Sequence, residues 1–271
     1  MTLGDDIAAA LAEDDPQAAS ALATAQVKKS PQDAEARMFL AELSILLGDL
    51  SRAETQARLA ATAAPDAMLG IGIFRQHLRA LHARDAWWQS GALPTFPNGP
   101  SALSTLALRL NVALRETDGA AARTALHTLE DQRGAQPGTW NGTPVADLRD
   151  LDDRLPHAIE ALTGGGHYLW LDFADLAELT FGPATRPLDT VLPRARVRLR
   201  DGSAADIRLP AIYPAPMSAA EQLGRTTDFD EPAEGVTTAR GQRCWLAGDD
   251  IASCLETRTL TFLAAVDKGA A

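Results

Sequence analysis

Apolar residues in the first half of the chain recur at the spacing that gathers them on one side of a helix. From Leu3 to Val27 the sequence is rich in Ala and Leu and is interrupted at Glu13-Asp14-Asp15-Pro16. An Asp there can cap, and Pro16 can start a second helix, so a short helical hairpin is expected. Phe39, Leu40, Leu43 and Leu47 then line one helix face, leaving Glu35, Arg37, Glu42 and Ser44 for the polar side. Gly48-Asp49 ends that helix and caps the next, Ser51 to Ala63, whose Ala53, Ala57 and Ala60 let a neighbour approach closely. A longer helix follows from Asp66 to Gln89, with Ile71, Phe74, Leu78 and Leu81 on one face and Trp87-Trp88 near its end. Two adjacent tryptophans are not expected to face the same core, so one should pack across a neighbouring element or against the second half of the chain. After the turn-rich segment 91–100, Ser101 to Arg115 and Gly119 to Gln132 form another hairpin.

Pro31 and Pro65 lie thirty-four residues apart in similar surroundings, the period of a tetratricopeptide repeat. Leu40, Ala41, Gly48, Ala53, Ala60 and Pro65 stand where such a repeat wants them. Arg37 and Ser44 replace its usual aromatics, so the match is partial and covers one clear unit.

The pattern changes around Leu148-Arg-Asp-Leu-Asp-Asp-Arg154. Gly134 to Gly142 reads as a linker. Leu155 to Leu162 reads as a helix closed by Gly164-Gly165-Gly166, and Leu176 and Leu179 as a helical turn. Tyr168 to Phe173 alternates like a strand packed on one side. Asp201-Gly202 supplies the backbone angles of a tight hairpin, with Ala195, Val197 and Leu199 on one face and Arg194, Arg196, Arg198 and Arg200 on the other. Its return strand adds Ile207 and Leu209 to the apolar face. Gln242 to Ala247 and Thr257 to Ala264 are two more strands. The expected fold is therefore multi-domain, α and α+β: a helical-hairpin, tetratricopeptide-like array over residues 1–135, then a smaller α+β domain with an antiparallel sheet over 136–271.

Composition narrows the functions. In 271 residues, 25 Lys and Arg stand against 36 Asp and Glu, and the net charge of −11 repels phosphate backbones and anionic lipid. No secretory signal opens the chain and no apolar run is long enough to span a bilayer, so a cytosolic location is expected. Cys244 and Cys254 have no companions at metal-site spacing and read as reduced thiols. The five histidines are scattered, and no nucleophile elbow or phosphate loop is present. No cofactor or metal is expected.

Asp150, Asp152 and Asp153 admit two readings. They could hold a divalent cation in a metal-dependent hydrolase, or pair two carboxylates so that one has a raised pKa and works as an acid. Alternatively Asp152 or Asp153 caps a helix starting near Leu155 while another pairs with Arg149 or Arg154, and this reading is preferred because no second carboxylate group or phosphate loop accompanies them. The hairpin arginines are read as the solvated face of an edge hairpin, or functionally as a stripe that meets an acidic helix. Arg225, Asp228, Arg240 and Arg243 lie by Gly-rich loops, where internal ion pairs are the default.

Six ordered blocks carry a family likeness: Trp140-Asn-Gly-Thr, Leu148-Arg-Asp-Leu-Asp-Asp-Arg, Gly166-His-Tyr-Leu-Trp-Leu-Asp-Phe, Leu209-Pro-Ala-Ile-Tyr-Pro, Leu223-Gly-Arg-Thr-Thr-Asp-Phe and Gly241-Gln-Arg-Cys-Trp-Leu-Ala-Gly-Asp. Together they resemble the ImpE (SciE, TagJ) family of type VI secretion accessory proteins. Val145, Phe229 and Arg240 depart from its pattern. The resemblance implies a non-enzymatic protein that binds the N-terminal helix of the small contractile-sheath subunit and is linked to the ClpV disassembly ATPase. Candidate partner-binding residues are Asp150, Asp152, Asp153, Tyr168, Trp170, Arg225, Asp228, Gln242, Arg243 and Trp245. A general tetratricopeptide-like scaffold for another partner is the remaining alternative.

Overall fold

A computed structural model describes residues 2–263. Seven helices come first: α1 (Leu3–Ala12), α2 (Pro16–Lys29), α3 (Ala34–Leu46), α4 (Leu50–Ala63), α5 (Met68–Ser90), α6 (Ala102–Arg115) and α7 (Gly119–Arg133). Six of them begin on a side chain that accepts a first-turn N–H, from Thr2, Asp15, Asp33, Asp49, Ser101 and Asp118. Each such cap stabilises its helix by about 1 kcal/mol. Only α5 lacks one; it grows out of a single 3-10 turn, Pro65–Ala67. Ala53, Ala57 and Ala60 are fully buried on α4, where their size lets α3 pack closely.

Thirteen strands follow among the described residues: β1 (Gly138–Trp140), β2 (Thr143–Val145), β3 (Leu148–Asp150), β4 (Ala158–Thr163), β5 (Tyr168–Asp172), β6 (Leu176–Phe181), β7 (Arg194–Leu199), β8 (Ala204–Arg208), β9 (Thr227–Ala233), β10 (Val236–Gly241), β11 (Cys244–Ala247), β12 (Asp250–Ser253) and β13 (Thr259–Phe262). A one-turn helix α8 (Ala219–Gln222) precedes β9. Eight strands make one antiparallel sheet in the order β2-β1-β13-β6-β7-β8-β4-β5. Smaller sheets join β12-β11-β3 and β10-β9, and the latter ribbon places Val236 against Leu110, Ala122 and Leu126 of α6 and α7.

The large sheet has two unlike faces. On one, Ile159, Ala161, Leu179, Val197, Ile207 and Leu260 join Trp245, Ala247 and Ala252 of the small sheet in a continuous apolar cluster. On the other, only β4 and β5 are apolar: Ala158, Leu162, Tyr168 and Trp170 pack with Phe74, Leu78, Leu81 and Trp87 of α5 in the same cluster as the first four helices. The same face of β6, β7 and β8 carries Glu178, Thr180, Arg194, Arg196, Arg198, Asp206 and Arg208, as the pairings of Thr180 with Arg196 and of Arg194 with Arg208 require. Helices therefore cover half of this face and leave the other half open.

Several expectations need correction. Residues Leu155 to Leu162 are not helical: Ala158–Thr163 is β4, a strand buried on both sides, which explains why it lacks the apolar-polar alternation of a half-exposed strand. Asp152 and Asp153 accordingly cap no helix. Leu176 and Leu179 belong to β6, and the turn lies just before it at Phe173–Asp175. The arginine hairpin is not at an edge, because β7 and β8 sit inside the sheet. Part of the expected linker pairs as β1. Both tryptophans reach the same cluster, Trp87 buried within it and Trp88 half-buried on it, since a helix turn at the sheet junction gives each a different neighbour. Ala264, expected to end the last strand, lies outside the described residues.

Candidate functional site

A buried polar junction lies where α5 meets β4 and the segment after β10. Glu160, central in β4, points toward the helices with no exposed surface. Its carboxylate accepts from Arg84 Nε at 2.8 Å and Nη2 at 3.0 Å, from Trp88 Nε1 at 2.9 Å and from the Tyr168 hydroxyl at 2.6 Å. Arg243, also buried, donates to Glu160 and to Asp150 through its two terminal nitrogens, and through Nε to the Pro210 carbonyl at 2.9 Å. Asp150 further accepts from the Tyr213 hydroxyl at 2.5 Å and from the Asp152 N–H at 2.9 Å.

Two carboxylates thus share two guanidiniums unequally. Burial by itself would raise Glu160, but Arg84 and Arg243 overcome it and hold its pKa at about 2. Asp150 has only part of one arginine and Asp152 beside it, so burial prevails and pushes its pKa up to about 6. Arg243 is driven further above its ordinary value by the two carboxylates, against burial.

The neighbouring aspartates hold backbone. Asp152 accepts from the N–H of Arg154 at 2.8 Å and of Ala239 at 3.2 Å, and pairs with the Arg154 guanidinium, which stacks 4.9 Å over Trp88. Asp153 accepts from the Thr237 N–H at 2.6 Å and pairs with Arg149. Each carboxylate of the cluster is therefore occupied by a different arginine, and no group of three or more metal-ligating side chains converges among the described residues. Ser104, His157 and Asp172 also meet, but not as a hydrolytic triad. His157 Nε2 faces both Ser104 Oγ (3.3 Å) and Asp172 Oδ1 (3.5 Å), while Nδ1, where a triad needs its carboxylate, has no partner among the described residues. Ser104 donates directly to Asp172 at 3.0 Å and so ties α6 to the sheet.

Of the ten sequence candidates, seven are interior. Asp150, Tyr168 and Arg243 belong to the junction; Asp152 and Asp153 brace it. Trp170 donates to the Tyr168 hydroxyl at 2.8 Å and lies edge-on to Trp87, with ring centres 5.1 Å apart. Trp245 donates to Thr257 at 3.2 Å inside the second cluster. Buried as they are, these side chains hold the fold together. Arg225 is exposed and bridges to Asp14 at 2.8 Å and to the Leu11 carbonyl at 3.1 Å. Asp228 is exposed on β9 opposite Arg240, and half-buried Gln242 is held by the Thr226 carbonyl. Sequence reasoning missed Glu160, Arg84 and Tyr213. The signal for Glu160 was a lone acid inside Ala-Ile-Glu-Ala-Leu, masked by reading that segment as a helix.

An open groove lies elsewhere on the molecule. A groove of about 720 Å3 runs where the apolar edge of α5 meets the uncovered strands, lined by Met38, Gly70, Ile73 and Phe74 on one side and by Thr180, Arg194, Arg196, Asp206 and Arg208 on the other. Ile73 is 45 % exposed, and Leu69, one turn earlier, is 81 % exposed. A Cβ added at Gly70 or Gly72 would meet nothing within 4 Å. Of the two, Gly70 lines the groove and leaves the backbone of α5 open there. His77 at its end is held uncharged, since burial and then Arg208 lower its pKa to about 4.

No helix among the described residues is long and apolar enough to cross a membrane. The family model for ImpE protein matches residues 142–261. Over 240 residues, 88 % of this chain and 84 % of the relative, the sequence is 25 % identical to the type VI secretion system accessory component TagJ of Pseudomonas aeruginosa. The crystal structure of protein VPA1032 from Vibrio parahaemolyticus superposes with a TM-score of 0.87 at 26 % identity, covering 95 % of this chain and 97 % of that one. Residues 142–261 are thus an ImpE domain, carried by a chain that is similar to TagJ over most of its length.

Proposed function

We propose that this chain is a cytosolic, non-enzymatic accessory protein of a bacterial type VI secretion system. It acts as an adaptor that holds the N-terminal helix of the small contractile-sheath subunit and is linked to the ClpV disassembly ATPase. The observation that carries this reading is the groove beside α5, whose helical wall is Gly70, Ile73 and Phe74 with Ile73 exposed, and which exposed Leu69 adjoins one turn before Ile73. Helices α3 and α5 supply its wall and strands β6, β7 and β8 its floor. The similarity to TagJ gives the secretion system, and the net charge of −11 argues against nucleic acid as the ligand.

Covering a large aliphatic side chain is worth about 1.5–3 kcal/mol, so two or three anchors in the groove support a micromolar complex after the cost of association. Calorimetric titration with the cognate sheath subunit's N-terminal helix should give a Kd below about 100 μM. An Ile73→Asp variant with an unchanged circular dichroism spectrum should bind at least about tenfold more weakly. Absence of binding in the wild type would refute the reading.

A further inference from the structure

On the reading that a helix occupies the α5 groove, we infer that this helix carries acidic side chains along one flank of its apolar stripe, and that the arginine row of β7 and β8 selects it. The groove is chemically two-sided. Its α5 wall offers Gly70, Ile73 and Phe74, and its floor offers Arg194, Arg196 and Arg208 with Asp206 as the lone carboxylate among the lining residues. His77 adds no charge near neutral pH. A cationic floor is unexpected on a molecule with eleven excess negative charges, and it is confined to the half of the sheet face that no helix covers.

The partners of these arginines bear on the same point. Arg208 is fixed by buried Asp189 at 3.0 Å and by the Leu192 carbonyl at 2.5 Å. Arg194 shares Asp189 at 3.0 Å but keeps 51 % of its side chain exposed. Among the described residues Arg196 pairs only with Asp206, at 3.1 Å, and both are largely in solvent, at 64 % and 81 %. Exposed pairs of this kind are worth about 0–1 kcal/mol, so Arg196 can turn to a second carboxylate at little cost. A carboxylate brought against Arg194 and Arg196 by a helix whose apolar side sits on Ile73 would be partly desolvated and would gain more than the pair it displaces. The floor also works against wrong partners, because a basic amphipathic helix placed there meets like charge.

The experiment titrates full-length protein into the labelled N-terminal helix of the small sheath subunit from the same genome, read by fluorescence anisotropy at about 50 mM and about 300 mM NaCl, which shortens the screening length from about 14 Å to about 6 Å. Affinity should fall about fivefold or more with salt, and the double variant Arg194→Glu, Arg196→Glu should lose about tenfold at low salt. Asp206→Asn should bind no more weakly than wild type. A peptide whose Asp and Glu are changed to Asn and Gln should bind wild type as poorly as the native peptide binds the double variant. Should the double variant lose its circular dichroism spectrum, Arg196→Gln and the neutralised peptide give the same comparison.

If salt, receptor charge and peptide charge all change affinity less than about twofold while Ile73→Asp abolishes binding, docking is purely apolar. The inference then falls and the proposed function stands. A native helix with no carboxylate on its polar flank overturns it in the same way. Binding indifferent to Ile73→Asp, or none at all, removes the groove reading and this inference with it.

Discussion

Replacing Glu160 by Gln changes one atom in an otherwise unaltered side chain, and its effect follows from what surrounds that atom. Five donated hydrogen bonds reach the carboxylate, from Arg84, Trp88, Tyr168 and Arg243, and the residue has no exposed surface. An amide accepts at only one of its two ends and points N–H groups at a guanidinium with the other. The loss of charge leaves Arg84 and Arg243 buried with Asp150 as their one close carboxylate. Removing one partner from a buried ion pair costs about 3–5 kcal/mol, a large part of the roughly 5–15 kcal/mol that holds a folded protein together. For a chain of this size that lowers the melting temperature by about 5–9 °C. Urea unfolding followed by tryptophan fluorescence suits the measurement, because Trp87, Trp88 and Trp170 surround the site. Adding Arg84→Met should recover part of the loss, so that the double variant is about 1 kcal/mol or more better than the sum of the singles. Glu160 has its pKa lowered from 4.5 to about 2, so its contribution is present above the unfolded value and disappears as pH falls toward 2. Wild type and Glu160→Gln should therefore converge in acid. A loss under about 1 kcal/mol at neutral pH, or additivity with Arg84→Met, would refute the reasoning.

Asp150 gives the opposite sign: its pKa is raised from 3.8 to about 6, so its ionisation weakens the folded state as pH rises through that interval. Asp150→Asn should gain stability relative to wild type between pH 4 and 6 and hold a constant difference above it, as pH-dependent urea midpoints would reveal; a flat difference contradicts this. Gly241 has φ +81° and an added Cβ would lie 2.2 Å from the Thr226 carbonyl oxygen, so Gly241→Ala should lose about 1–3 kcal/mol or more in thermal melts, whereas Gly72→Ala, with open space around it, should be neutral or slightly stabilising. Trp88→Phe keeps the ring over which Arg154 sits but removes the Nε1 donor to Glu160, and a loss of about 1–3 kcal/mol is expected in the same urea assay.

The helical half was legible because its punctuation is local. Asp15, Asp33, Asp49 and Asp118 each stand before a run of helical period, and each caps the helix they announce. Asp201-Gly202 likewise marked its hairpin, with Gly202 at φ +90°. β4 was misread because burial on both faces erases the alternation that identifies a strand, leaving an Ala, Leu and Glu composition that favours helix. β1, β2, β3 and β12 are three or four residues long and leave too short a pattern. The six family blocks were legible as a sequence feature, yet much of what they hold is interior: Asp150, Tyr168 and Arg243 are brought together over more than ninety residues of chain, a juxtaposition no local pattern encodes. Conversely the groove draws on α3, α5, β6, β7 and β8, and its one sequence trace was the arginine alternation of the hairpin.

Site-directed photo-crosslinking from position 73 on α5, in living cells that also express the small sheath subunit, tests the adaptor role most directly. The result expected is a covalent adduct to that subunit's N-terminal helix, formed from position 73 and not from position 251 on β12, whose exposed Ile251 lies outside the groove. Adducts to the helix from position 251 with none from position 73 would place the partner on another surface and contradict the groove as its site; no adduct from either would contradict the partner itself.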